Sequence, residues 1–351
     1  MLRADIMGVK ELTVWPCSER VEWPSMTDRS PLLDVRHLTT IYDSPSGPLP
    51  VVDDVSLRIA EGETLALVGE SGSGKSLTAL SILRLVQPPG RVARGEVLFR
   101  GRDLRQLDEG GMRRVRGREI ALIFQEPAAA LNPVFTIGAH VAEGLEVHGL
   151  ASGSAAWSRA VECLAEAGIP DAAGRARDYP HQLSGGLLQR AVIAAALACR
   201  PALVIADEPT SALDATLQAQ ILALLRRLRS ALGLSLLLIT HDLDILPGTA
   251  DRVAVMYAGR LVEQGRTADV LRAPAHPYTR ALLDAVPAGR AGRLRAIAGH
   301  APPPGHPAKG CAFAPRCDRR VPECERAAPG ITDVAEGRRV RCHLCIPAGH
   351  A

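Results

Sequence analysis

A glycine-rich loop that ends an apolar stretch restricts the possible folds of this 351-residue chain more than any other feature. Residues 69–76 read GESGSGKS and fit the pattern G-x-x-x-x-G-K-[ST] in full, at the end of the apolar run TLALVG. Glycines let backbone N–H groups surround an anion, and the start of a following helix adds partial positive charge. The sequence therefore predicts a buried strand, a phosphate-binding loop and a helix over about residues 75–87.

Two side chains of this loop have predicted roles of their own. Lys75 is expected to reach the terminal phosphates of a nucleotide, and the Ser76 hydroxyl to bind Mg²⁺. The chain contains only three lysines, Lys10, Lys75 and Lys309, so a lysine at the motif position is difficult to attribute to chance. The alternative interpretation is a flexible Gly/Ser turn. The other predicted phosphate-binding residues are Gly69, Ser71, Gly72, Ser73, Gly74 and Leu77.

Polar side chains end three further apolar runs. LVIADEP places Asp207 and Glu208 together, with Asp207 expected to hold Mg²⁺ and Glu208 to be the base that orients and deprotonates a water molecule. The alternative is a pair of acids that caps the next helix. Gln125 ends IALIFQ and is expected to ligate Mg²⁺ or water. His241 ends LLLITH and is expected to contact the γ-phosphate.

The apolar runs alternate with helical patterns, as in a parallel sheet that is buried on both faces. TLALVG, ALVIADEP and LSLLLITHD are strand-like, and helical periodicity dominates residues 128–200. We therefore expect an α/β fold. Residues 1–30 show no clear period and are predicted to be a disordered extension. From about residue 273 a Pro-, Gly- and Arg-rich tail is expected to form a separate appendage, stabilised by a metal or by contacts.

Composition limits the classes of function. Apolar residues make up 47% of the chain, but no uninterrupted apolar run reaches the ~18 residues of a membrane span. The N-terminus lacks the apolar region of a signal peptide. The net charge is +3 without a long basic run, so composition does not indicate a nucleic-acid groove. The protein is expected to be soluble or to reach a membrane through partners.

A second glycine-rich segment, LSGGLLQR at residues 183–190, also opens an apolar helix. A helix start of this kind binds anions, but the segment has no lysine. It is therefore suited to complete a phosphate site rather than to build one. An ordinary glycine-rich helix start is the alternative.

Taken in order, these motifs resemble those of the ATP-binding subunits of ABC transporters over residues 32 to about 265. GESGSGKS looks like the Walker A motif, LVIADEP like the Walker B motif and LSGGLLQR like the signature motif. Gln125, the SALD segment at residues 211–214 and His241 match the Q-, D- and H-loops. Tyr42 lies where the family stacks an aromatic ring on adenine.

This resemblance implies a P-loop NTPase (RecA-like) core with an antiparallel β subdomain, and ATP and Mg²⁺ as ligands. The ATPase domain would span residues 31–265, with an α-helical signature subdomain at about 128–200, and a Cys-rich C-terminal extension would span 266–351. In the family two ATPase subunits pack head to tail, so the signature loop would hold the ATP of a second subunit. The residues implied in that contact and its neighbourhood are Ser184, Gly185, Gly186 and Asp214.

A pair of residues in this segment departs from the family pattern. After the two glycines the family commonly has a polar pair, whereas this chain has Leu187 and Leu188 before the retained Gln189 and Arg190. We expect the loop still to bind the ATP of the second subunit despite this change. The property that the change is expected to affect is the turnover rate.

The tail resembles that of one particular branch of the family. HPYTRALLDAVP, from His276, is similar to the C-terminal element of peptide-importer ATPases, in the oligopeptide/dipeptide branch that also includes nickel importers. This implies two membrane permeases, a second ATPase with a heterodimer favoured, an extracytoplasmic substrate-binding protein, and a peripheral position on the cytoplasmic face of the membrane. The alternatives are a nickel or small-solute importer, a nucleic-acid mechanoenzyme and a free-standing Fe–S sensor; no nucleic-acid partner is expected.

The cysteines of the tail follow the same branch. Their spacing, C-x5-C-x6-C-x17-C, is like that of tails that hold a [4Fe–4S] cluster in some members, and four thiolates suit either iron–sulfur or zinc. Zinc and free thiols therefore remain alternatives. The predicted cluster ligands are Cys311, Cys317, Cys324 and Cys342.

Overall fold

The computed structural model describes residues 31–211, 213–285, 297–303, 305 and 309–345. The predicted disordered extension at residues 1–30 and Ala212 of the SALD segment lie outside the described residues. Aromatic residues make up only 3% of the chain, so the core is built mainly from leucine, valine, isoleucine and alanine.

The strands belong to two sheets, in the spatial orders β2-β1-β4-β5 and β11-β12-β10-β9-β3-β8-β7-β6. Their bounds are β1 Leu33–Tyr42, β2 Leu49–Ile59, β3 Thr64–Val68, β4 Gly90–Phe99, β5 Arg102–Asp103, β6 Ile120–Ile123, β7 Leu203–Asp207, β8 Ser235–Thr240, β9 Arg252–Tyr257, β10 Arg260–Arg266, β11 Thr332–Ala335 and β12 Arg338–Val340.

The helices lie between and beside these strands. Their bounds are α1 Lys75–Ile82, α2 Glu109–Val115, α3 Pro127–Ala130, α4 Ile137–Val147, α5 Gly153–Glu166, α6 Ala172–Arg175, α7 Gly185–Leu197, α8 Ala215–Leu232, α9 Thr267–Arg272, α10 Pro277–Asp284 and α11 Glu323–Arg326, with short 3₁₀ turns at Leu104–Gln106, Pro180–Gln182 and Ala314–Arg316.

The centre of the larger sheet is the parallel core that the apolar runs predict. β6, β7, β8, β3 and β9 pair in parallel, and every residue of β3, β7 and β8 is buried. Since parallel strands end at one edge of a sheet, the residues that follow β3, β6, β7 and β8 meet there. This edge brings together the phosphate loop and the three polar strand ends.

The smaller sheet is antiparallel and covers one face of α1. β1 pairs with β2 and β4, and its apolar side chains share a core cluster with Ala79 and Ile82 of α1 and with Leu67 of β3. Helix α1 is shorter than predicted, because it ends at Ile82 and Arg84 adopts a left-handed φ of 54°. The chain then turns into β4 and adds a strand to the antiparallel sheet.

The helices between β6 and β7 form an alanine-rich layer on the other side of the core. Ala156 and Ala160 of α5 and Ala191 and Ala194 of α7 are buried in one apolar cluster with α8. Small side chains let these helices approach closely. The segment corresponds to the helical region that the periodicity predicts at about residues 128–200.

The tail continues the larger sheet, which differs from the expectation of a separate appendage. β12 pairs antiparallel with β10, and Glu263 of β10 lies opposite Val340. The buried Glu263 carboxylate accepts the N–H groups of Ala275 and His276 and the Arg338 guanidinium, at 3.0, 2.9 and 2.7 Å. Strand pairings between residues so distant in sequence leave no local period, so the sequence does not reveal them.

Candidate active site

The phosphate loop joins β3 to α1 in a conformation that requires glycine. Gly74, just before the helix, has a φ of 104°, which side-chain-bearing residues rarely adopt. Gly69 lies so close to β9 that a Cβ atom there would overlap the carbonyl oxygen of Met256. The buried Ser73 hydroxyl has no hydrogen-bond partner among the described residues. An unsatisfied polar atom in a glycine-built loop fits a site that receives a polar ligand such as phosphate.

Lys75 is held inside this loop. Its side chain is 4% exposed, and Nζ donates to the carbonyl oxygens of Gly69 at 2.8 Å and Glu70 at 3.0 Å. Burial lowers the pKa of Lys75, while the carboxylates around it act in the opposite direction. Two carbonyl groups compensate a buried ammonium incompletely, so an anionic phosphate is a favourable additional partner.

Ser76 and Asp207 form the candidate Mg²⁺ site. The Ser76 hydroxyl donates to Oδ1 of Asp207 at 3.0 Å. Burial raises the pKa of Asp207 and the neighbouring Glu208 charge adds to this effect, whereas Ser76 and Lys75 oppose it. A hydroxyl and a carboxylate are the hard oxygen ligands that Mg²⁺ prefers, and a cation would relieve the cost of the buried charge. The residues present therefore fit the ion.

Glu208 lies at the centre of the site. Oε2 accepts a hydrogen bond from Nε2 of Gln125 at 3.2 Å and is 3.2 Å from Nδ1 of His241, while Oε1 is 4.0 Å from Nζ of Lys75. The φ of Glu208 is 45°, a left-handed conformation that strains a non-glycine residue and is concentrated at functional sites. The structure thus brings together four predicted catalytic residues that are far apart in sequence.

The remaining predicted residues occupy two other places. Tyr42, at the end of β1, packs against Gly90 of β4. Ser184 and Gly185 are exposed at the start of α7, and Gly186 packs against α8. Asp214 caps α8, since its carboxylate accepts the N–H groups of Thr216 and Leu217 at 2.9 and 3.0 Å.

The signature segment stands apart from the phosphate loop of its own chain. In the part of the chain that the structure describes, no hydrogen bond joins residues 183–190 to residues 69–76. Helix α7 begins at Gly185, and the Ser184 side chain makes no capping hydrogen bond there, so the first amide groups of the helix can serve a ligand.

Two residues that the sequence does not reveal hold the phosphate loop from the tail side. Arg316 pairs with the Glu70 carboxylate, and the Tyr278 hydroxyl accepts the Glu70 N–H at 2.9 Å. Tyr278 belongs to the HPYTR segment, so its motif was visible while its contact was not. No pattern in the sequence distinguishes Arg316 from the other arginines.

The raised pKa of Asp207 makes Mg²⁺ binding sensitive to acid. A carboxyl group that keeps its proton to a higher pH than usual must lose that proton before it ligates the ion. We expect the Mg²⁺ affinity of the protein to fall as the pH decreases from neutral through this raised pKa. Mg²⁺ titrations of ATP binding at several pH values measure the effect. In Asp207→Asn, the affinity should be weak and its pH dependence reduced; an equally steep dependence in that variant would contradict the assignment.

The C-terminal cysteines are neighbours. The Cys311 N–H donates to the carbonyl oxygen of Cys324 at 2.7 Å, and the charge of Cys342 influences both Cys311 and Cys317. Burial raises the pKa of the Cys311 and Cys317 thiols, whereas a hydrogen bond from Cys345 lowers the pKa of Cys342. Within the described ranges there is no group of three or more His, Cys, Asp or Glu that could hold a metal ion. The residues as placed do not fit a metal centre, and the cluster stays a prediction.

Two family models match the chain. One, the ABC transporter family, covers residues 52–211, and the other, the oligopeptide/dipeptide transporter C-terminal region, covers residues 262–324. Across the residues that the structure describes, no helix has the length and apolar character needed to cross a membrane.

The relatives agree with these matches. A putative peptide import ATP-binding protein of Brucella ovis is 47% identical over 328 residues, which cover 90% of this chain and 97% of that protein. The dipeptide transport ATP-binding protein DppD of Escherichia coli is 44% identical over 314 residues, covering 89% and 96%. Among solved structures, a dimeric post-hydrolysis state of the ATP-binding cassette MJ0796, bound to ADP and Pi, matches with a TM-score of 0.60 and 30% identity over 67% of this chain and 98% of that chain.

These matches confirm the α/β ATPase fold with its antiparallel sheet, and they agree with the geometry of the site. The chain belongs to the ABC transporter ATP-binding proteins of the oligopeptide/dipeptide family, and it is an ATPase subunit of that family.

Proposed function

We propose that this chain hydrolyses Mg–ATP at a site shared with a second ATPase subunit, and that the cycle drives uptake of oligopeptides or dipeptides through two membrane permeases. The observation that carries the proposal is the convergence of Lys75, Gln125, Glu208 and His241 beside the Ser76–Asp207 pair. Peptide as the cargo is supported by the names of the relatives, which describe peptide import and dipeptide transport.

Each residue of the site has a task in hydrolysis. Glu208 is the base that takes a proton from the attacking water, and Gln125 and His241 hold its carboxylate in place. Lys75 and His241 stabilise the negative charge of the transferred phosphoryl group. Because Nε2 of Gln125 holds Glu208, the other amide atom, Oε1, is free to serve as a metal ligand. Ser76, Asp207 and Gln125 would hold Mg²⁺, which would supply charge neutralisation at the phosphates.

The second subunit receives the signature loop. Ser184 and Gly185 are exposed, α7 begins at Gly185, and the segment makes no hydrogen bond to the phosphate loop of its own chain among the described residues. A free helix N-terminus presents amide donors to an anion. We infer that it completes the ATP site of a partner ATPase, in a heterodimer, and that each subunit completes the site of the other.

The permeases are proposed to dock beside the Q-loop. Three large apolar side chains near Gln125 are exposed, namely Phe124, Val134 and Phe135, at 45, 70 and 54%. Exposed apolar residues gathered in one region mark protein contacts. Gln125 also hydrogen-bonds Glu208, so a permease that contacts Phe124 would touch the residue next to the one that holds the catalytic base. The protein would thus lie peripherally on the cytoplasmic face of the membrane, and an extracytoplasmic binding protein would deliver the cargo.

Purification of the tagged chain from membranes in mild detergent and without oxygen tests this proposal. We expect two permeases and a second ATPase to co-purify, and the double variant Phe124→Ser/Phe135→Ser to lose the permeases. Ile331→Ser, which changes an exposed apolar residue of the tail, is the matched control and should keep them. Recovery with nucleic acid and without permeases would contradict the proposal. Transport assays with peptides and with nickel then distinguish the cargo.

The iron–sulfur interpretation of Cys311, Cys317, Cys324 and Cys342 is a separate proposal, supported by their spacing and by their proximity in the tail. Iron, sulfide and zinc analysis of the same anaerobic sample tests it. Stoichiometric iron and sulfide would support a cluster, and their absence would reject it. No step of the hydrolysis proposed above depends on such a cluster.

A further inference from the structure

We propose that the C-terminal extension forms part of the ATP site, and that Arg316 is a positioning residue that holds the phosphate loop through Glu70. The inference rests on the ATP site proposed above. It adds Arg316, a residue that belongs to none of the ATPase motifs. It would make nucleotide affinity depend on a segment that lies outside the ATPase motifs.

The contact between the tail and the loop is a two-point ion pair. Nη1 of Arg316 is 2.7 Å from Oε2 of Glu70, and Nη2 is 2.9 Å from Oε1. The Arg316 side chain is 5% exposed, and that of Glu70 is 27% exposed. A planar guanidinium that binds both oxygens of a carboxylate fixes its orientation as well as its distance. A largely buried pair of this geometry is also screened less by water and salt than a surface pair.

The tail holds Arg316 firmly on its other sides. Nε donates to the carbonyl oxygen of Ala298 at 3.0 Å, and the guanidinium carbon lies 5.8 Å from the ring centre of Tyr257 and 6.0 Å from that of Phe313. The pairing with Glu70 raises the pKa of Arg316, so the group stays charged. Arg316 is therefore a fixed support and not a mobile surface side chain.

A second part of the tail holds the backbone of Glu70. The Glu70 N–H donates to the hydroxyl of Tyr278, whose ring packs 4.5 Å from Tyr257 and 5.4 Å from Phe313, measured between ring centres. Burial of His276 lowers its pKa to about 4, and its neutral ring accepts the Tyr278 N–H through Nδ1 at 3.0 Å. Both the side chain and the main chain of Glu70 are thus held by residues of the extension.

Glu70 passes this restraint to the phosphate-binding groups. Its carbonyl oxygen accepts a hydrogen bond from Nζ of Lys75 at 3.0 Å and from the N–H of Ser73 at 3.2 Å. A shift of Glu70 would therefore move the ammonium that reaches the phosphates. Without Arg316, the Glu70 carboxylate would also be an unpaired negative charge close to an anionic ligand.

The test is ATP affinity of the full-length chain, measured by calorimetry with Mg–ATP. We expect Arg316→Ala to raise the Kd about 10-fold, which corresponds to about 1.4 kcal/mol. Arg316→Lys should give an intermediate value, because lysine keeps the charge but loses the two-point geometry. If the unchanged chain itself binds no ATP, the proposed ATP site fails; if it binds and the variants bind equally well, only this inference fails.

A matched control separates loop positioning from general loosening of the tail. Arg341 is 10% exposed, belongs to the same tail and pairs with Asp54 at 2.9 Å, and among the described residues its side chain makes no hydrogen bond to the phosphate loop. We expect Arg341→Ala and Arg316→Ala to lower the Tm of the nucleotide-free protein similarly, and only Arg316→Ala to reduce the further Tm increase that ATP causes. Equal weakening of ATP binding by both variants would overturn the inference.

The double variant shows whether Arg316 acts through Glu70. When two residues act as one unit, the effects of changing them are not additive. Arg316→Ala combined with Glu70→Gln should bind ATP no more weakly than Arg316→Ala alone, since the change to glutamine removes the unpaired charge. If the loss of ATP affinity in the double variant equals the product of the losses in the two single variants, the two residues act independently, and the proposed path would be rejected.

Discussion

Replacement of Glu208 by glutamine is expected to lower the rate of hydrolysis at this chain's own ATP site by about 10²- to 10⁴-fold, the usual contribution of a general base, with little change in ATP affinity. Glutamine keeps the shape of the side chain and accepts the hydrogen bond from Gln125, but it cannot take a proton from water. Because ATP still binds, the pair of ATPases should accumulate in its closed, ATP-bound state. Steady-state hydrolysis and light scattering of the purified complex measure the two effects.

The control for this variant is a carboxylate outside the site. Glu61 is 71% exposed at the surface, where it pairs with Arg100, so Glu61→Gln should hydrolyse ATP at the normal rate. If this chain's own ATP site keeps more than about a tenth of its hydrolysis rate in Glu208→Gln, another group activates the water there, since the loss would then fall short of the range for a general base.

Gly185→Asp is expected to block hydrolysis at the partner's ATP site in the assembled pair, while the chain's own phosphate loop still binds ATP. A Cβ atom at Gly185 finds its nearest neighbour, a methyl group of Leu213, at 4.0 Å, so the aspartate fits the separate chain without a clash. In the closed pair, however, the new carboxylate would face the phosphates of the partner's ATP, and juxtaposed like charges cost several kcal/mol. We expect the hydrolysis rate at the partner's ATP site to fall by about 100-fold or more, as about 2.7 kcal/mol or more of lost stabilisation requires.

Gly185→Ala is the matched control, because it adds the Cβ atom without the charge. It should keep a substantial part of the activity, and calorimetry on the separate chain should give the same ATP affinity for the unchanged protein and for both variants. Loss of ATP binding by the separate Gly185→Asp chain would show that the signature loop serves its own nucleotide, and would contradict the shared site. The same assays with Leu187→Gln test whether the departure from the family's polar pair slows turnover.

Much of the site was predictable because its chemistry is local in sequence. The loop at residues 69–76 has glycines, Gly72 and Gly74, where the backbone has a left-handed φ, and this demand comes from the local turn. The strands were recognisable because a parallel sheet covered on both faces needs unbroken apolar runs. Since such strands end at one edge, the polar residues that follow them were expected to lie near the loop, and Glu208 does lie 3.2 Å from both Gln125 and His241.

The tail was less predictable because its contacts join distant residues. The proline-rich composition after residue 273 suggested a separate appendage, yet β12 extends the main sheet through β10. Edge pairing depends on two short strands that meet only after the core has formed. The cysteine spacing predicted a cluster, but spacing does not place sulfur atoms at coordination distance, and the described residues do not present a metal-binding group.

The sequence by itself determined the fold class and the family and predicted the nucleotide-binding residues, because each depends on motifs a few residues long. Only the tertiary structure decided what surrounds those residues. It placed Arg316 on Glu70, 246 positions away in the chain, and Tyr278 on the Glu70 N–H. The physical reason is that an ion pair needs only two opposite charges brought close by the fold. Any of the chain's many arginines could have supplied one of them.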